Sequence, residues 1–128
     1  MMKAFLLAGL GSFLGGGLRY LIIVAFERKG TFDFPIAILA INAVGSFMIG
    51  LMTPGFERYS LGGDSAASLI LSVGLMGGFT TFSTFSLQTL KLMQNGHWAL
   101  ALFNALASVC CCLISVWGGL RLGQLLFR

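Results

Sequence analysis

The chain has 128 residues, of which 57% are hydrophobic and only 9% charged, with 8 basic and 4 acidic side chains and a formal net charge of +4. A soluble domain carries roughly 25% charged residues, so this composition excludes an ordinary water-soluble globule. The positive balance does not point to nucleic acid either: no basic patch is interleaved with polar or aromatic readers, and most bases sit at the ends of apolar runs.

Four apolar runs reach the length that crosses a bilayer, about 20 residues for a hydrocarbon core of ~30 Å. They predict four helical spans at about 3–26, 35–56, 65–94 and 98–127, in one membrane domain. The first run begins like a signal peptide, with Lys3 and then apolar residues. It continues through Arg19 to Phe26 without a small-residue cleavage pattern, and so reads as a retained span. Arg19 is the one charge within a span, about 7 residues or roughly 10 Å from the end of its helix. It either snorkels to the headgroups or places a fixed positive charge at the mouth of an anion path.

Pro35, a favoured first-turn residue, opens the second span. Asn42 lies mid-way along it, with Gly45 and Ser46 on the next turn. An amide in hydrocarbon needs partners, and its NH₂ offers two donors.

The third span contains "LMGGFTTFSTFS", residues 75–86, without a charge. The helix-weakening pair Gly77 and Gly78 predicts an interruption near Gly77. Beyond it, Phe82, Phe85 and Thr89 share one helical face, and Thr81, Thr84 and Gln88 share the adjacent one. Hydroxyl and amide donors without acids suit an anion, and a phenyl edge is electropositive. Packing alone is the other reading of the phenyl row.

On the fourth span Asn104, Ser108, Cys112 and Ser115 recur on one face, as partners for interhelical hydrogen bonds or as a polar track. Cys110, Cys111 and Cys112 point in different directions on a helix, which disfavours a disulfide among them, and they read as small packing residues. His97 stands at a helix start beside Trp98, an interfacial position and not that of a proton relay. The acids Glu27, Asp33, Glu57 and Asp64 all fall in or beside loops, so no carboxylate is available mid-span for proton coupling.

Four spans put both termini on one side. That side holds Lys3, Arg58, Arg121 and Arg128, and the other holds Arg28, Lys29 and Lys91. The positive-inside rule orients a chain by Lys/Arg asymmetry, and so near a balance allows insertion in both directions. Gly11–Gly15, Gly74–Gly78 and Gly119–Gly123 are G-x-x-x-G spacings that let helix backbones approach closely. They serve either packing within one chain or association with a second copy.

With "GGFTTFSTFS", "GGLRY" around Arg19 and "INAVGS" around Asn42, the chain resembles, over its whole length, the Fluc (CrcB) family of fluoride channels. The resemblance implies an all-α membrane protein of four transmembrane helices with a broken third helix. It implies assembly as an antiparallel, dual-topology homodimer among the lipids of the inner (plasma) membrane. Two fluoride pores would lie at the dimer interface, lined by Phe82 and Phe85, with Asn42, Ser83 and Thr84 as donors and Arg19 near the vestibule. Ser108 joins that pathway from the fourth span. A structural sodium ion would sit at the dimer's centre, held by backbone carbonyls of Gly77 and Thr80 from each chain. Gln88 stands where some members carry Glu, and Asn104 where some carry an aromatic or another polar residue. The implied function is passive, fluoride-selective export of toxic intracellular fluoride. It needs no nucleotide site, no P-loop is present, and the chain is not expected to be an enzyme. Two alternatives are a small proton-coupled four-helix exporter, whose usual first-span carboxylate is missing, and a non-conducting accessory subunit.

Overall fold

The computed structural model describes residues 1–28 and 34–128. Every regular element among them is helical: α1 (Met2–Glu27), α2 (Ile36–Arg58), α3 (Ser68–Met76 in π-helical winding, continued by Gly77–Phe79), α4 (Phe82–Gln94) and α5 (Trp98–Leu126). Four stretches are long and apolar enough to cross a membrane: Met2–Glu27, Ile36–Arg58, Ser68–Gln94 and Trp98–Leu126. At 1.5 Å per residue, α1 alone reaches about 39 Å.

The surface is as apolar as the interior. The residues buried along α1 are Gly11 and Gly15, while Phe5, Leu6, Leu10, Phe13 and Leu14 point outward. On α5 the outward side carries Phe103, Val109, Leu113, Ile114 and Trp117. Monomeric soluble proteins rarely expose contiguous apolar patches of more than a few hundred Å². Hydrocarbon solvates such a surface, and small residues then mediate the helix contacts because lipid provides no hydrophobic drive between helices.

Alternate spans pair in parallel. A Cβ at Gly11 would fall on the Ile70 carbonyl and lie 2.9 Å from the Cα of Gly74; one at Gly15 would fall on the Leu75 carbonyl, 2.8 Å from the Phe79 nitrogen; one at Gly78 would lie 2.6 Å from the Ser12 carbonyl oxygen. The positions rise in step along α1 and α3. The second pair is α2 with α5, where Gly119 sits on Phe47 and Leu51, and Gly123 on Leu51 and Pro54. All three G-x-x-x-G spacings therefore serve packing within one chain. Pro54 is tolerated inside α2 because neighbouring helices and hydroxyls can re-satisfy backbone groups in a bilayer protein; the Thr53 hydroxyl donates to the Ile49 carbonyl at 2.7 Å.

Two helix ends follow one local rule. After α4, Gly96 (φ +81°) is left-handed, its N–H donates to the Met93 carbonyl, and the His97 N–H donates to that of Leu92 at 2.8 Å. After α2 the same paired bonds run from Ser60 to Glu57 and from Leu61 to Phe56, with Ser60 at φ +54°. Both are Schellman closures, which satisfy the last carbonyls of a helix.

A small core of Ile38, Ile41 and Phe79 joins α2 to α3, with Ile22, Ile23 and Phe85 packed against it. It fixes the junction between α3 and α4 at the centre of the molecule.

Candidate functional site

That junction is made by two threonines. Thr80 (φ −78°, ψ 157°) and Thr81 (φ −152°, ψ 111°) are extended, whereas Gly77 keeps helical angles (φ −63°, ψ −37°). The departure from helical angles thus falls three residues beyond the glycine at which the sequence suggested it. The local signal is a cap: the Thr81 hydroxyl accepts from the Thr84 N–H at 3.2 Å, as an N-cap side chain does. It also donates to the Thr84 hydroxyl at 3.0 Å and lies 3.3 Å from that of Ser83.

Extended residues free backbone groups that need partners. Asn42 supplies two of them. Its Nδ2 donates to the Thr81 carbonyl at 3.1 Å, and its Oδ1 accepts from the Thr81 N–H at 2.8 Å. Arg19 Nη1 donates to the Thr80 carbonyl at 3.3 Å. The Thr80 hydroxyl turns back to the Met76 carbonyl at 3.0 Å. Gly45 leaves room for the Thr80 methyl group, which a Cβ there would strike.

α4 therefore starts at Phe82 with its amide end at the junction. A helix N-terminus carries about half a positive charge, which adds a backbone component to the donor row. The sequence reading counted hydroxyls and missed this; Thr81 as the cap three residues before Thr84 was the available signal. Phe82 and Phe85 follow on one face, ring centroids 5.4 Å apart at 49°. Phe82 is 78% exposed, whereas Phe85 leans on the central core.

An open groove of about 550 Å³ runs past this face. Asn42, Gly77, Thr80, Phe82, Phe85 and Ser108 all line it, with Cys112 further along α5. Of the other residues singled out from sequence, Ser83 is exposed, Arg19 reaches the junction from α1, and Thr84 lines a second cavity. That cavity, about 390 Å³, also holds Gln88, Ile23 and Glu27; the Gln88 Oε1 is buried and finds no hydrogen-bond partner among the described residues. The stripe on α5 divides: Ser108 and Cys112 face the groove, whereas Asn104 is 1% exposed and donates to the Thr89 hydroxyl at 2.8 Å.

Among the described residues no three His, Cys, Asp or Glu side chains come together as a metal cluster. A cation here would need backbone oxygen, the donor type that suits hard ions. Gly77 fits that need. The Thr81 N–H, which would close a helical bond to the Gly77 carbonyl, goes to Asn42 instead, and Gly77 has nothing within 4 Å of where a Cβ would stand. The Thr80 carbonyl already accepts from Arg19.

Comparison with known proteins places the chain in a family. Residues 6–120 match the family model described as CrcB-like protein, Camphor Resistance (CrcB). The chain is 39% identical to a protein of Elusimicrobium minutum over 98% of both chains, and 41% identical to one of Parabacteroides distasonis over 97% of this chain and 94% of that one. It is 42% identical to a protein of Magnetococcus marinus over 91% and 94% of the two chains. All three relatives bear the name fluoride-specific ion channel FluC. A model match over nearly the whole chain, with relatives aligned end to end, means that this chain belongs to the CrcB family.

Proposed function

We propose that the chain is a passive fluoride-selective channel that lets toxic intracellular fluoride leave the cell across the inner membrane. The observation that carries this reading is the pairing of Phe82 and Phe85 at the amide end of α4. Fluoride is small and holds water tightly, so a path must replace that water with hydrogen-bearing groups. The edges of two phenyl rings, the hydroxyls of Ser83, Thr84 and Ser108 and the helix N-terminus are such groups. None of them is an acid, so an anion meets no opposing charge there. The Arg19 guanidinium near Thr80 raises the local positive potential further.

The groove is open along one side and Phe82 stands bare on its lip. In this reading a second copy, inserted in the opposite direction, closes it, giving an antiparallel homodimer with two pores. The near-equal distribution of bases between the two sides supports dual insertion. A sodium ion held by the Gly77 and Thr80 carbonyls of both copies would neutralise the carbonyl end of the junction and clamp the copies together. Conduction then follows the electrochemical gradient, with no enzymatic step and no proton relay.

The test is fluoride release from liposomes that contain only this protein, followed with a fluoride electrode at equal pH on both sides. Rapid release without a pH gradient is expected. Release only when a proton gradient is imposed would favour a coupled exporter, and no release would favour an accessory subunit.

A further inference from the structure

Asn104 lies away from the groove, yet it is among the most deeply buried side chains in the molecule. Its Nδ2 donates to the Thr89 hydroxyl at 2.8 Å, and that hydroxyl donates to the Phe85 carbonyl at 2.8 Å. The three groups form a directed chain from α5 through α4 to the backbone that carries the Phe85 ring. A hydroxyl has one proton to give. Once Asn104 occupies its acceptor side, the Thr89 proton is committed to Phe85.

We infer that Asn104 is a positioning residue: through Thr89 it fixes the first turns of α4 and thereby the ring of Phe85 against that of Phe82. Apart from this chain, α4 is held at its start by the Thr81 cap and by Phe85 against the central core. Its buried residues are Thr89 and Leu92, and Phe82, Ser83, Ser86 and Leu87 are exposed. Threonine hydroxyls often bond back to a carbonyl one turn earlier, so that bond alone would mean little. The buried amide from another helix is what gives it direction. The inference rests on the fluoride-channel reading for its functional consequence, but not for the geometry.

Three full-length variants test it. Thr89→Val keeps the shape and removes the hydroxyl, Asn104→Leu removes the amide, and Thr89→Ser keeps the hydroxyl. Fluoride release from liposomes should fall about tenfold in Thr89→Val and Asn104→Leu, with a lower fluoride-to-chloride ratio, and stay within about twofold of the parent in Thr89→Ser. The double variant should be no worse than either single one, because one chain is broken in each case. A second readout is independent of transport: 4-fluorophenylalanine at position 85 should give one narrow ¹⁹F resonance in the parent and in Thr89→Ser, and a split or broadened one in Thr89→Val and Asn104→Leu. Unchanged spectra and flux in those two would overturn the inference, as would equal impairment in Thr89→Ser or additive losses in the double variant. If the parent conducts no fluoride while the spectra behave as expected, the functional reading fails and the positioning chain stands.

Discussion

The side-chain amide of Asn42 grips Thr81 twice, donating to its carbonyl at 3.1 Å and accepting from its N–H at 2.8 Å. An amide is the one kind of side chain that matches a peptide group in both directions. Here it replaces the helical bonds that extended backbone at Thr81 forgoes, 39 residues away in sequence.

Asn42→Ala should therefore destabilise the molecule through backbone. It leaves a donor and an acceptor without partners in an apolar setting, at about 1–3 kcal/mol each. Asn42→Asp keeps the acceptor but sets an anionic oxygen against the Thr81 carbonyl. Thermal unfolding in detergent, followed by intrinsic fluorescence, should show a lower midpoint for both, with Asn42→Asp the lower. A midpoint equal to the parent's in Asn42→Ala would remove the clamp.

Phe82→Ile and Phe85→Ile keep bulk and apolarity but lose the ring edge. Each should cut fluoride release from liposomes by at least tenfold while the protein elutes at its parental position in size-exclusion chromatography. Equal flux in both variants would reduce the phenyl row to packing.

The glycines should divide by location. Gly15→Ala puts a methyl group onto the α3 backbone and should abolish folded protein in membranes. Gly77→Ala enters open space with helical angles and should leave the chain's own fold intact. If two copies meet at Gly77 around sodium, the same variant lowers the dimer fraction. Gel filtration with cross-linking in liposomes reads both effects.

Ser60 adopts the left-handed conformation that glycine takes in the matching closure at Gly96. Left-handed geometry costs a non-glycine residue roughly 1–2 kcal/mol. Ser60→Gly should raise the thermal midpoint by a few degrees without altering flux; a fall would show that the serine side chain has a role of its own.

Four apolar helices were legible because hydropathy and length are local properties. The glycine spacings were legible as motifs, but their partners were not. Gly11 meets Gly74, Gly15 meets Leu75 and Phe79, and Gly78 meets Ser12 only once α1 and α3 lie side by side, and a repeat carries no information about which helix it faces. The phenyl pair could be read from its i, i+3 spacing. Asn42 was legible as an amide that needs partners, but its partner was not: the Thr81 backbone takes both its Nδ2 and its Oδ1. Asn104 shared a stripe with Ser108 and Cys112, yet α4 draws it inward through Thr89. In each case the deciding partner lies elsewhere in the chain, outside the residue's own helix. Gln88 was legible from its helical face and as a departure from the resemblance, but its buried oxygen, without a partner among the described residues, lies beside Glu27 and Thr84 only in the fold.

The most direct measurement compares fluoride with chloride in the same liposomes, using purified protein, equal gradients and ion-selective electrodes. Donors and ring edges spaced for a small anion predict fast fluoride release with chloride retained. Chloride escaping as quickly as fluoride would contradict the account, because an unselective wall has no need of this arrangement.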